Sequence, residues 1–479
     1  MKQRTEIMMP YVISAQPDPF NIHWSGDWAV CLHSWSGLVD YTSEGHITGV
    51  LAESWSHSEN FLSWTFKLRP ILKWSDGSPM TSEQILQSLS ASATGTSHSD
   101  FSQAIEKIAV GKEDGTIVFS LRRPIPAFLI SLSYPDWSIV HPSTLKVTPN
   151  KVQTTGFLPC SGSYCVASTV TNSAGTVEAV ELKRNTFFTL KPQNTIDSGI
   201  LRSYVNCESL VDRRKELLTF RSYSEALTPS CLQKLKEEGF VVNRAQPGWV
   251  LKADFTRKGL NSVSRPERQK LQAQIQKSLL AKEPGFGVTK STGIRPLASV
   301  GSLSIDEFTK VISDLDSETN NVKLKVKSVK MAVMDVWSKW RAVSWLVSAL
   351  ESQGLSVELD VLTKKAYADG SADGSLQDNY DLLFIPIGSG DPDPDSNWQI
   401  ARRFSYPSSV SEAELSIAYF ETDPAKRNRL YQDLAVQLIR EVALIPLMND
   451  ADYIGIHESV TASTSPSFRY GLTLYDLVL

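Results

Sequence analysis

At 479 residues the chain is too long for one ordinary core, because chains beyond ~250–300 residues divide into domains of ~100–200 residues, here two or three. Its 41% hydrophobic and 21% charged residues have the balance of a soluble globular protein, which excludes an extensively disordered chain. A formal net charge of -4 and a pI near 6.0 argue against nucleic-acid binding, which draws on a basic excess.

No run approaches the ~20 apolar residues that a spanning helix needs; the most apolar one, Tyr380–Ile387, has the length of a strand. The opening MKQRTEIMMP carries basic residues but no apolar stretch and no small-residue cleavage site, so it does not read as a secretory signal. Either a signal was removed from this chain or the protein is cytosolic.

A strand is expected at Tyr11–Ala15, then a Pro-Asp-Pro turn at Pro17–Pro19 and helical spacing from Asp27 to Leu38. SWTFKL (Ser63–Leu68) alternates as a half-buried strand does, and SDGSP (Ser75–Pro79) is a turn by its Asp-Gly pair. Thr81 and Gln84 form a capping box for a helix that buries Ile85, Leu86 and Leu89. Gly115–Arg123 reads as a strand and Phe128–Leu132 as a short helix. SGSYCV (Ser161–Val166) and VEAVELKRN (Val177–Asn185) read as strands about the turn NSAG.

Past residue 250 the pattern becomes α/β. Arg265–Lys282 is helical, and Ser328–Val333, Trp337–Gln353 and Leu355–Val361 read as strand, helix and strand. Such a unit implies parallel strands with a right-handed crossover. Trp337, Trp340, Val343, Leu346, Val347 and Leu350 recur at helical spacing and form the core face of that helix. KLKVKSVK (Lys323–Lys330) alternates basic and apolar residues, the pattern of a strand with one solvated face. Tyr380–Ile387 is a buried strand leading into GSGDPDPDSNW (Gly388–Trp398), followed by helices around Glu412–Phe420 and Ala425–Glu441 and the strand-like ALIPLM.

No nucleophile elbow, Walker loop, dinucleotide fingerprint, HExxH or paired CxxC occurs in the sequence. The seven histidines are scattered singly, so no metal site is expected. Five cysteines allow at most two disulfides and leave one over; Cys160 and Cys165 form a local disulfide or two packed thiols. Asp391, Asp393 and Asp395 sit in a Pro-rich loop, where carboxylates act as turn formers more often than as acid/base pairs. That loop also lies at the end of a strand in an α/β region, where open sheets place ligands. No enzyme and no cofactor are expected.

Several of these segments resemble the extracytoplasmic solute-binding proteins of the oligopeptide, dipeptide and nickel group, which serve ABC importers. VLAESWSHSENFLSWTFKLRPILKWSDGSPMTSEQIL (Val50–Leu86) is the most specific match, since its turn, cap and strand residues fall in register. SGSYCV stands where the family has Thr-Gly-Pro-Tyr, VELKRNTFF (Val180–Phe188) is similar to its "LxxNxxYW" strand, and RPERQKLQAQI (Arg265–Ile275) to its "VRQAL" helix. DPAKRNRLYQDLAVQLIREVALIPL (Asp423–Leu447) matches "R-x-x-LY…IPL", and YDLLFIPIGSGDPDPDSNW aligns to "WGADYPDPDN".

The resemblance implies a two-lobed periplasmic-binding-protein fold of α/β class. Lobe I takes residues 1–37, 149–248 and 450–479, an inserted small α/β domain takes 38–148, and lobe II takes 249–449. A hinged closure would trap an oligopeptide, paired through its backbone as an added strand, for delivery to a permease and its ATPases; the protein would be a monomer. The ligand-binding residues implied are His23, Trp24, Ser25, Gly390, Asp391, Asp393 and Trp398.

This sequence departs from the family where it anchors the ligand's α-ammonium. The family's Asp is Gly390 here and its tyrosine is Asp391. Either Asp391 holds the ammonium from a shifted loop or the ligand has no free amino end. The rivals are a receptor for a non-peptide solute (a nickel complex, haem or a sugar) and a hydrolase or chaperone on the same scaffold.

Overall fold

The computed structural model describes residues 5–10, 13–14, 16–22, 25–41, 46–95, 99–148, 151–171, 177–188, 190, 196–204, 206–223, 227–281, 288–295, 299, 301–388, 393–395, 397–398, 410–462, 474 and 477–478. The chain forms two compact units. The first comprises Met1–Ser222, Pro229–Asn243 and Ile454–Leu479, and the second Tyr223–Thr228 and Arg244–Tyr453.

In the first unit Tyr164–Thr171 pairs antiparallel with Val177–Arg184, which pairs antiparallel with Ser198–Ser203. Glu6–Met9 then lies parallel to both Ser198–Ser203 and Leu217–Tyr223. The expected Tyr11–Ala15 strand falls partly outside the described residues; Ile13 makes an isolated bridge to Val177, and the first strand is Glu6–Met9. A buried carboxylate hides that strand in the sequence. Glu6 is 2% exposed and is held by Arg202 and Arg213, each 3.1 Å away.

The first unit also carries a four-stranded antiparallel sheet in the order Ala52–His57, Ser63–Leu68, Thr116–Leu121, Ile105–Val110. Alternation in Ser63–Leu68 sends Trp64, Phe66 and Leu68 inward, where Phe66 meets Phe119 edge-on at 5.7 Å and Trp64 stacks on Phe128 at 5.0 Å. Helix Ser82–Thr94 starts with the expected capping box, and Gln84 also accepts from the Trp74 indole at 3.0 Å. The helix near residue 27 is Ser25–Ser34, ending short of the expected Leu38. Its His33 is enclosed: Nδ1 meets the Ala29 carbonyl at 2.6 Å and Nε2 accepts from the Leu474 amide at 3.0 Å. Burial lowers the imidazole's pKa to about 4.

Cys160 is joined to Cys165 and Cys207 to Cys231, while Cys31 is a buried free thiol. Between the first pair the chain passes too close to the end of helix Ser25–Ser34 for any side chain. A Cβ on Gly162 would sit 2.1 Å from the His33 carbonyl oxygen, and the Gly162 amide donates to Ser34 at 3.0 Å. The strand accordingly begins at Tyr164 rather than Ser161.

In the second unit Ser328–Met334 lies parallel to Ser356–Leu362 and to Leu382–Gly388, joined by helix Arg341–Ser352 as the expected βαβ unit. Leu382–Gly388 is antiparallel to Trp249–Phe255. The helix starts later than Trp337, which lies in a 3-10 turn, Asp335–Trp337. Trp337 packs edge-on to Tyr367 at 5.7 Å, and Trp340 to Phe384 at 6.2 Å, before the helix begins. Val343, Leu346 and Leu350 form its core face, as their spacing requires.

Lys323–Lys327 alternates in exposure but joins no ladder, which starts only at Ser328. Its Lys325 and Val326 amides donate instead to the Glu267 carboxylate at 2.5 and 3.0 Å. The core gathers helices Arg265–Leu280, Ile305–Glu318, Glu412–Phe420 and Pro424–Glu441. Ile305–Glu318, capped by Ser304 and Glu307, buries Phe308, Val311, Ile312 and Leu315 at helical spacing, each contributing about 1.5–3 kcal/mol.

One buried face of Arg265–Leu280 is polar. Arg268 donates to the Val263 carbonyl at 2.7 Å and Gln276 to that of Pro446 at 2.5 Å. Gln272 lies between them, 0% exposed, and its amide has no hydrogen-bond partner among the described residues. An unsatisfied buried polar group costs about 1–3 kcal/mol, so Gln272→Leu is expected to raise stability by that order in urea unfolding. An unchanged midpoint would mean that internal water already serves the amide.

Candidate ligand-binding site

Leu382–Gly388 is a run of side chains buried as far as Ile387, and a Cβ on Gly388 would lie 3.2 Å from the Trp249 ring. Beyond it, Asp393–Asp395 and Asn397–Trp398 are held by Arg295 and by two side chains of helix Pro424–Glu441. Asp393 Oδ1 accepts from the Asp395 amide at 2.9 Å, the local turn that an Asp-Pro-Asp sequence favours.

The Asp393 carboxylate is gripped at both oxygens by Arg427, at 2.7 and 3.0 Å, the geometry of a strong bidentate pair. Burial opposes the Arg427 charge, yet the Asp393 carboxylate outweighs it and raises the guanidinium's pKa above its usual value. One helical turn on, the Tyr431 hydroxyl donates to Asp395 at 3.2 Å. Burial and then the Asp395 charge push that phenol's pKa up. Arg295, 2% exposed, donates from Nη1 to the Asp393 carbonyl at 2.9 Å and to Asn397 Oδ1 at 2.7 Å. Asn397 Nδ2 reaches back to the Gly388 carbonyl at 3.4 Å. Gly301 backs the turn at φ +77°, where a Cβ would lie 2.9 Å from Tyr431 and 3.2 Å from Pro394.

Of the residues expected to meet a ligand, His23, Trp24, Gly390 and Asp391 lie outside the described residues. Ser25 is the half-buried first residue of helix Ser25–Ser34. The chain around it is pinned by two buried carboxylates of the first unit. Asp18 accepts from the Phe20 and Thr154 amides at 3.1 and 3.3 Å, and Asp27 from the Ser14 amide at 2.7 Å. Burial outweighs those donors and pushes the Asp18 pKa up to about 6.

Asp393 is buried with Arg427. Trp398, 2% exposed, lies in the core cluster with Tyr431. The sequence reading missed Arg295, Arg427, Tyr431 and Asn397. For two of them a signal was present: Arg427 and Tyr431 are the Arg and Tyr of the R-x-x-L-Y segment, four apart and so on one helix face. Among the described residues no group of three or more His, Cys, Asp or Glu side chains could hold a metal ion.

Residues 46–205 match the family model "Bacterial extracellular solute-binding proteins, family 5 Middle". The chain is similar to the probable D,D-dipeptide-binding periplasmic protein DdpA of Escherichia coli K12, 32% identical over 128 residues, 26% of this chain and 25% of that protein. The matched segment thus spans about a quarter of that curated relative's length. Two solved structures share the fold along the chain. One is NikZ from Campylobacter jejuni in complex with Ni(L-His), with TM-score 0.78, 17% identity and coverage of 100% of both chains. The other is Haemophilus influenzae OppA in complex with RPPGFSPFR, with TM-score 0.77, 18% identity and coverage of 100% of this chain and 99% of that one.

Proposed function

Since the chain belongs to the bacterial extracellular solute-binding proteins of family 5, we propose that it is an extracytoplasmic receptor that captures an oligopeptide between two hinged lobes and hands it to an ABC importer. On this reading it performs no catalysis, acts as a monomer, and carries residues 38–148 as a domain inserted in the first lobe. Two disulfides support an oxidising compartment, as does the periplasmic relative. No helix among the described residues is long and apolar enough to cross a membrane.

The observation that carries the peptide reading is the commitment of Asp393 to Arg427 and of Asp395 to Tyr431. With those carboxylates used in building the turn, the counter-charge for a ligand's ammonium falls to Asp391, and Asp393 and Trp398 act behind the ligand. His23, Trp24 and Ser25 supply backbone and side-chain contacts to an extended peptide.

The test is a thermal shift of refolded, ligand-free protein against a pool of short peptides, where a ligand at 100 times its Kd adds about 2.7 kcal/mol. No shift across the pool would sink the peptide reading. Where a peptide binds, Asp391→Ala is expected to weaken it at least tenfold more than its N-acetylated form. Equal losses would assign Asp391 to the turn.

A second reading, a non-peptide solute such as a nickel complex, is favoured by Gly390 standing where the family's ammonium-binding Asp would be, and by the equal likeness to NikZ. Native mass spectrometry of the purified protein separates the two by the mass retained.

A further inference from the structure

Arg295 carries only donors, so the Asn397 atom facing it must be the carbonyl oxygen, and the amide nitrogen is thereby turned to the Gly388 carbonyl. The same Nη1 also holds the Asp393 carbonyl. One guanidinium thus ties the end of strand Leu382–Gly388, through Asn397, to the start of the turn at Asp393. Arg295 and Asn397 are 2% and 0% exposed, which keeps water from competing for these bonds. Arg427 fixes Asp393 to helix Pro424–Glu441, whereas the Arg295–Asn397 relay fixes Asp393 relative to Gly388.

We propose that Arg295 and Asn397 are positioning residues that clamp the two flanks of the proposed ligand loop at a set separation. The clamp thereby sets the preference for ligands with a free amino end. This rests on the peptide-capture reading, because a charged anchor discriminates only when it is held to within about 0.5 Å of its productive place. Arg295 and Asn397 need not touch the ligand to do this.

Asn397→Asp isolates one half of the clamp. It keeps an acceptor for Arg295 and sets a carboxylate oxygen against the Gly388 carbonyl in place of a donor. In ligand-free protein the backbone amides of Gly388 and of position 397 are expected to exchange with deuterium at least tenfold faster in this variant, with Leu383–Ile385 unchanged. Unchanged exchange would overturn the clamp.

The second arm uses trialanine and N-acetyl-trialanine in titration calorimetry. The wild-type preference for the free amine is expected to fall at least fivefold in Asn397→Asp. Gln276→Leu, which removes a buried bond to Pro446, is the control: it is expected to lower the melting temperature and leave that preference unchanged. A preference that survives in Asn397→Asp, or falls equally in the control, overturns the specificity role. Wild-type protein that binds neither tripeptide overturns the peptide reading and that role with it, while the exchange result still decides the clamp.

Discussion

Replacing Asp393 with alanine is expected to destabilise the protein by about 3–5 kcal/mol, the usual cost of stranding one partner of a buried ion pair. The Arg427 and Asp393 side chains are 10% and 6% exposed, so little water can reach the guanidinium once the carboxylate is gone. Among the described residues Arg427 keeps its bond to the Ala418 carbonyl at 3.3 Å and its place 5.3 Å from the Tyr431 ring centre. Neither supplies a counter-charge, which leaves Asp395 as the nearby carboxylate that still favours the guanidinium's charge. The substitution also removes the acceptor for the Asp395 amide and so loosens the turn itself.

Asp393→Asn should fall between, since it retains an acceptor for Arg427 and for that amide but not the charge. Asp393→Leu combined with Arg427→Met should recover most of the loss, because the desolvation cost disappears with both charges. Urea midpoints of the four proteins check the series. A loss below about 1 kcal/mol for Asp393→Ala would put the pair in contact with solvent.

That pair also marks where sequence reasoning reached and where it stopped. Features written in neighbouring residues were legible: the alternation of Ser63–Leu68, the Thr81–Gln84 cap, and the strand, helix and strand from Ser328 to Leu362. Their causes act over a few residues, through side-chain periodicity and the orphan amides of a helix start. The Asp-Pro-Asp loop and the R-x-x-L-Y helix are each legible as local motifs, but not that they hold one another, since Asp393 and Arg427 are 34 residues apart.

Glu6 gives the same lesson. A glutamate spoils the apolar pattern of a buried strand unless its partners are known, and these lie 196 and 207 residues later at Arg202 and Arg213. Lys323–Lys327 misled in the opposite way: its alternation is real, but the Glu267 carboxylate takes the Lys325 and Val326 amides outside any ladder. Periodicity reports which side chains face water, not which backbone groups pair.

Lys252→Met is expected to produce a loss of similar size, about 3–5 kcal/mol, for a pair that serves no turn. Lys252 and Asp254 are two apart on the strand that pairs with Leu382–Gly388, and so share a face. They contact one another with side chains 0% and 1% exposed, opposite the apolar Ile385 and Leu383. Burial lowers the Lys252 pKa, and the Asp254 carboxylate works against that fall. The pKa of Tyr367, whose hydroxyl donates to the Phe384 carbonyl at 3.1 Å, is instead pushed up by burial and then by the Asp254 charge. Removing the ammonium therefore takes away the counter-charge that the buried Asp254 carboxylate contacts.

The double replacement Lys252→Met with Asp254→Leu should be neutral or more stable than the natural protein by up to about 1–4 kcal/mol, as for other buried pairs exchanged for apolar side chains. What the pair is expected to supply is register. A slip of one residue turns every side chain to the opposite face, and would carry two charges to the face where Phe255 meets Arg268 of helix Arg265–Leu280. A four-member cycle measured by urea unfolding separates stability from coupling. A coupling above about 3 kcal/mol with a stable double variant supports a register device, and a small loss in Lys252→Met would mean that another group holds Asp254.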